Sequence, residues 1–198
     1  MLIFWDQRLV FLATPKAGST AVEVALESLA SVTMQRPAPL KHMSAQDFRT
    51  TLAPWLAAQA GAPFTTVALM REPIGWLRSW YRFRTRDDFD DPDHPMAGRR
   101  FEDFARDYMA RPCPAQADIG SQSAHLCGAD GTPAVDRIFR YEQIDESFVH
   151  FLEDRLDCAI TLPRVNVPPA VDTELSAETE AALKEWMAAD FALYESLA

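Results

Sequence analysis

Thr14-Pro15-Lys16-Ala17-Gly18-Ser19-Thr20 brings one amine, three hydroxyls and a glycine together in seven residues. Set where a strand turns into a helix, such a segment suits a phosphate or sulfate. The N–H groups of a first helical turn have no intrahelical acceptor, and the helix dipole is positive there. Gly18 lets the backbone approach a ligand closely, Ser19 and Thr20 add hydroxyl donors, and Lys16 supplies a point charge. The segment is not the nucleoside-triphosphate loop GxxxxGK[ST], whose lysine follows the second glycine; here Lys16 precedes the only one. A second segment, Met70-Arg-Glu-Pro-Ile-Gly-Trp-Leu-Arg-Ser-Trp-Tyr81, places Arg71 at the end of an apolar run and Ser79 eight residues on. Both positions lie within reach of a ligand at the carboxyl ends of parallel strands. Taken alone, the first segment also reads as an unliganded helix start. Arg71 alone reads as a surface charge, and Ser79 as a helical serine bonded to its own turn.

The flanking sequence supplies the elements these residues need. Arg8-Leu-Val-Phe-Leu-Ala13 reads as a buried strand that stops at Thr14-Pro15. From Ser19, apolar residues at Val22, Ala25, Leu26 and Leu29 predict a helix packed on a core, with Glu23 and Glu27 facing elsewhere. A helix is expected over 44–60, started by Ser44 and Asp47. A strand follows over Thr65–Met70, and then a helix from Pro73 whose stripe of Trp76, Leu77, Trp80 and Tyr81 reads as core packing rather than a sugar platform. The run 87–95, with several carboxylates and two prolines, reads as a solvated loop, without the glycine and terminal glutamate of a calcium loop. Further on, helices are expected over 101–110, 143–156 and 176–197 and a strand over 135–141. Strands alternating with helices predict an α/β fold: a three-layer α/β/α arrangement with a central parallel sheet, in a single domain spanning 1–198.

Charge narrows the ligand. The 198 residues carry a net charge of −10, spread unevenly: residues 1–86 hold ten Lys/Arg against five Asp/Glu, and residues 87–198 nine against twenty-four. An acidic chain repels nucleic acid, so no nucleic-acid partner is expected, while the basic first part can still hold a small anion. No apolar stretch reaches the length of a membrane span, and the opening Met1-Leu-Ile-Phe-Trp-Asp6 lacks a basic leader, so a cytoplasmic location is expected. Cys113, Cys127 and Cys158 have neither a paired framework nor metal-ligand spacing; they read as free thiols, and no metal is expected.

Together the two segments resemble the sulfotransferase superfamily, whose P-loop-like α/β fold uses 3′-phosphoadenosine-5′-phosphosulfate (PAPS) as donor and releases adenosine 3′,5′-bisphosphate (PAP). The resemblance rests on Pro15-Lys16-x-Gly18-Ser19-Thr20 after the first strand and on Arg71 with Ser79 eight residues later, inside Arg-x-Pro and Ser-x-Tyr flanks. Phe139-Arg-Tyr-Glu-Gln-Ile144, and Asn166 with Asp190 and Tyr194, fit the family's later segments more loosely. The resemblance implies that Pro15, Lys16, Ala17, Gly18, Ser19 and Thr20 surround the 5′-phosphosulfate, that Arg71 and Ser79 grip the 3′-phosphate, and that no metal takes part. It further implies that Lys16 is catalytic and that a small-molecule or carbohydrate acceptor gives up a hydroxyl or amine proton. His42, in Leu40-Lys-His-Met-Ser44, is the first candidate for the base, since its intrinsic pKa suits proton abstraction near neutrality. Lys41, Gln122 and His125 are candidate substrate contacts. Two other readings use the same residues: a P-loop kinase, which would need a Walker lysine and a metal-binding aspartate, and a non-catalytic nucleotide-binding module, which needs no base.

Overall fold

A computed structural model describes residues 1–85, 94–165 and 171–197. The expectations for the acidic run 87–93 and for Asn166 fall outside the described residues.

In chain order the elements are β1 (Leu2–Phe4), β2 (Leu9–Leu12), α1 (Ser19–Leu26), β3 (Val32–Thr33), α2 (Ala38–Lys41), α3 (Ala45–Asp47), α4 (Ala53–Ala60), β4 (Thr65–Met70), α5 (Pro73–Arg84), α6 (Phe101–Met109), α7 (Gln122–Leu126), β5 (Arg137–Arg140), α8 (Val149–Leu156), α9 (Ala177–Trp186) and α10 (Ala188–Ser196). The sheet order is β3-β1-β2-β4-β5. The expected parallel core is present: β2 pairs with β4 (Val10 opposite Thr66) and β4 with β5 (Met70 opposite Arg140). Thr66 and Asp136 fasten that second pair, the Asp136 carboxylate accepting from both the N–H and the hydroxyl of Thr66.

Two strands that the sequence does not announce extend this core. β1 runs antiparallel to β2, and the two-residue β3 runs antiparallel to β1. Strands of three and two residues are too short to display a period-2 pattern, so only the pairing reveals them.

The strands β1, β2 and β4 are buried on both faces, which is why they read as unbroken apolar runs. Ile3, Val10, Leu12, Ala68 and Met70 pack with Phe48, Leu56, Leu126 and Leu193 on one side. Leu2, Phe4, Leu9, Phe11, Val67 and Leu69 pack with Val22, Leu26, Phe148 and Leu152 on the other. The result is the expected three-layer arrangement. A third cluster joins Trp76, Leu77 and Tyr81 of α5 to Phe101, Phe104, Leu183 and Met187. Among the described residues no helix is long and apolar enough to cross a membrane.

Several helices differ from their sequence-based outlines. α1 stops at Leu26, because the chain must turn back to place Val32 and Thr33 beside β1; Leu29, expected in the core, is exposed. Glu23, expected off the core face, is buried. The helical stretches expected over 44–60 and 143–156 each contain a widened turn, at Phe48–Leu52 and Ile144–Phe148. The terminal helix breaks at Met187. Leu183 and Met187 serve the cluster around α5 whereas Leu193 serves the sheet, and the break lets one stretch of chain reach both.

Candidate functional site

The loop between β2 and α1 is shaped by backbone dihedrals as much as by side chains. Lys16 has φ 62° and Gly18 φ 81°, with no positive φ at Ala17 between them. Alternating left-handed and ordinary residues turns successive N–H groups toward one side, the geometry of an anion nest. A left-handed lysine costs about 1–3 kcal/mol, a strain characteristic of functional loops. Gly18 is the N-cap of α1, so it has no side chain to take up the first-turn donors, and no acidic residue sits in that turn. Ala21 and Val22 N–H donate to the Gly18 carbonyl. The N–H groups of Ser19 and Thr20 therefore lie ahead of the helix's first acceptor. The loop is braced from α5, where the Trp76 indole N–H donates to the Pro15 carbonyl at 2.9 Å.

A cavity of about 670 Å³ opens above this loop. Pro15, Lys16, Gly18, Ser19 and Thr20 line it from one side, Arg71 and Ser79 from another, and Lys41 and His42 also border it. The structure thus brings both chemistry-bearing segments, 51 positions and more apart, to one space at the carboxyl ends of β2 and β4. Ala17 contributes no wall, because its side chain is buried in the core. Arg82 and Arg164 add two cations, and Asp145 is the only carboxylate among the described lining residues. In a chain of net charge −10, so cationic a cavity has the electrostatics to attract an anion.

Arg71 stacks on Tyr141, its guanidinium carbon 4.7 Å from the ring centroid. Burial lowers its pKa, opposed by nearby Tyr141, Glu142 and Glu72 and reinforced by Arg82. The Tyr141 ring also abuts the loop: a Cβ built on Gly18 would lie 2.7 Å from Tyr141 Cε2. Tyr141 is therefore a spacer between the loop and Arg71. The glycine is required by this contact and by its positive φ, in addition to any close approach of a ligand. Gly18→Ala is expected to cost about 1–3 kcal/mol in stability, read as a lowered denaturation midpoint. An unchanged midpoint would show that Tyr141 moves aside freely.

Lys16 Nζ lies 4.2 Å from the Phe83 ring centroid and 5.8 Å from that of Trp80, both on the cavity wall. Of the aromatic stripe on α5, Trp76 and Tyr81 are core residues as expected, while Trp80 faces the cavity and its buried indole N–H has no partner among the described residues.

His42 Nδ1 is 2.6 Å from the Ala13 carbonyl. A carbonyl only accepts, so Nδ1 carries the proton and the neutral ring keeps Nε2 as an acceptor. Burial lowers the His42 pKa, partly offset by the Ala13 bond and reinforced by Lys41. Lys41 is engaged by the buried Glu23 carboxylate at 2.6 Å, so it is held in place at the border of the cavity.

Gln122 and His125 do not line the cavity. Gln122 is buried and its amide is bonded to the Arg71 main chain. His125 sits on α7 with a buried Nε2 that has no partner among the described residues, and burial brings its pKa down to about 4. Sequence reasoning missed Tyr141, Arg82 and Arg164. Arg82 had a legible signal, since it lies three residues after Ser79 and hence on the same helical face.

A layered α/β protein with a cationic cavity at the carboxyl ends of its parallel strands is the class this architecture defines. No family model matches the sequence, and no curated protein matches it. In structural comparison the chain is similar to the crystal structure of mouse sulfotransferase SULT7A1 complexed with PAP, at 13% sequence identity and a TM-score of 0.41. The similarity covers 96% of this chain and 66% of that one. The roles of individual residues therefore rest on the geometry of this chain.

Proposed function

We propose that this protein is a PAPS-dependent sulfotransferase acting on a hydroxyl or amine of a small-molecule or carbohydrate acceptor. The observation that carries the reading is the convergence of the Pro15–Thr20 loop and the Arg71/Ser79 pair on one cationic cavity. The fit to a doubly phosphorylated donor lies in the chemistry of the donor set. Oriented N–H groups and a lysine stand at one end, and a guanidinium with a hydroxyl at the other, with the Tyr141 ring between the two.

PAPS, when bound, supplies a sulfuryl group on a phosphate leaving group. Ser19 and Thr20 N–H groups and Lys16 are placed to take up the charge that grows on a leaving phosphate, which makes them worth more in the transition state than in the ground state. Lys16 supplies this cationic role from the protein itself. His42 Nε2 is the acceptor for the proton leaving the nucleophile, and the Ala13 carbonyl fixes the tautomer that leaves Nε2 free.

Calorimetric titration with PAP, run in parallel with ATP and magnesium, tests the donor. Saturable PAP binding with no comparable ATP binding is the expected result, and ATP binding in preference to PAP would favour the kinase. The base is tested by pH. A base works deprotonated, so a lowered pKa extends activity to lower pH. The acid limb of kcat/KM is expected to inflect below the ordinary histidine value of about 6.5, and His42→Gln should lose about 10²–10⁴-fold in rate. An inflection above that value, or one that persists in the variant, assigns the proton to another group.

A further inference from the structure

Arg71 and Glu72 are the two residues between β4 and α5. The ladder ends at Met70 opposite Arg140, and Glu72 is already the N-cap of α5. Backbone groups there must find partners outside regular structure or remain unpaired at some cost. Side chains supply them. Gln122 Oε1 accepts from the Arg71 N–H at 2.9 Å, and Gln122 Nε2 donates to the Arg71 carbonyl at 2.8 Å. One buried amide thus holds both polar groups of a single residue, a closed pair that fixes position and rotation together. The Glu72 N–H donates to the Glu142 carboxylate at 3.0 Å.

Both of these side chains are in turn governed by α10. The Asp190 carboxylate, 1% exposed, accepts from the N–H groups of Gln122 and Ser123 at 3.3 and 2.7 Å, which anchors the start of α7. The Tyr194 hydroxyl donates to Glu142 at 2.8 Å. Burial and the neighbouring carboxylate push the Tyr194 pKa up to about 12, so it stays a donor. Asp190 and Tyr194 are four residues apart and share a face of α10. Two parallel relays therefore run from one helix face to the two-residue connection that bears Arg71.

We propose that Gln122 and Asp190 are positioning residues of the anion site, holding the Arg71 main chain so that its guanidinium is delivered against Tyr141 at the cavity wall. The inference rests on the reading of Arg71 as a phosphate ligand. Without the clamp, the backbone of Arg71 gains freedom that binding must then remove, and affinity falls by that ordering cost. Asp190 acts one step further away and should matter in the same direction but less.

The test is a double-mutant cycle on PAP affinity, measured by calorimetry on the full chain for the parent, Gln122→Met, Arg71→Ala and the double variant. Gln122→Met keeps the side-chain volume and removes both hydrogen bonds, and a denaturation midpoint for each protein verifies folding. Expected are a loss of about tenfold or more in Gln122→Met, a smaller loss in Asp190→Asn, and little further loss when Gln122→Met is added to Arg71→Ala. Additive losses, or parental affinity in Gln122→Met, overturn the positioning role. A variant too unstable to titrate leaves Asp190→Asn to decide, parental affinity again being the overturning result. If the parent fails to bind PAP, the donor assignment falls by itself and the cycle is read with inorganic pyrophosphate, under the same criteria. A parent that binds neither anion overturns both proposals.

Discussion

Lys16→Ala is expected to lower turnover by about 10²–10³-fold at saturating donor, the loss typical of removing one group that stabilises developing negative charge. PAP release from PAPS, followed over a panel of hydroxyl and amine acceptors, measures it. The size follows from where the lysine stands. It occupies a strained left-handed turn, lines the cavity beside Ser19 and Thr20, and has its ammonium over the Phe83 ring. An ammonium so placed can respond to charge on a leaving oxygen without reorganising a metal or a shell of water. Binding of PAP should fall by much less than turnover, because the backbone donors and Arg71 remain. Turnover within a few-fold of the parent would remove Lys16 from the chemistry and leave a binding module. Lys16→Arg is not expected to restore activity, since a planar fork does not replace a compact charge beside two aromatic walls.

Arg71→Ala should produce the opposite split, a large loss of affinity. A charge-assisted hydrogen bond contributes about 1.5–3 kcal/mol, and a guanidinium offers more than one to a phosphate. The expected weakening of PAP binding is therefore about 10²–10³-fold, with folding retained because Gln122 bonds to the Arg71 backbone rather than to its side chain. The ligand comparison makes the prediction specific. Adenosine 5′-monophosphate, which lacks the 3′-phosphate, should bind the parent and Arg71→Ala about equally. Equal losses for the two nucleotides would place Arg71 at some other part of the ligand, or show that its removal disturbs Tyr141 and the loop behind it.

Strand and helix identities in the core were legible because the relevant patterns are local. Thr65–Met70 forms the strand its apolar run predicts, Pro73 opens a helix, and Ser44 caps one by accepting from the Asp47 N–H. The candidate site was legible to the same extent: a lysine and glycine at a strand-to-helix turn, and an arginine at the end of a strand, are recognisable from neighbours a few positions away. Glu23 shows where such reasoning stops. Helical periodicity assigns a residue to a face but does not say what arrives on that face, and here the chain brings Lys41 to it, so a carboxylate is buried with a partner.

The chemistry of the two segments, the alternation of strand and helix and the basic first part were thus determined by the sequence itself, through interactions between residues close along the chain. Only the tertiary structure decided that Tyr141 fills the space beside Gly18, that Arg164 joins the cationic wall, and that a buried glutamine 51 positions away holds the Arg71 backbone. Those contacts follow from the order of strands in the sheet and from the break at Met187 that turns α10 toward the sheet core. A hydrogen bond between distant positions leaves no period and no spacing in one sequence, because its geometry exists only after the layers have packed.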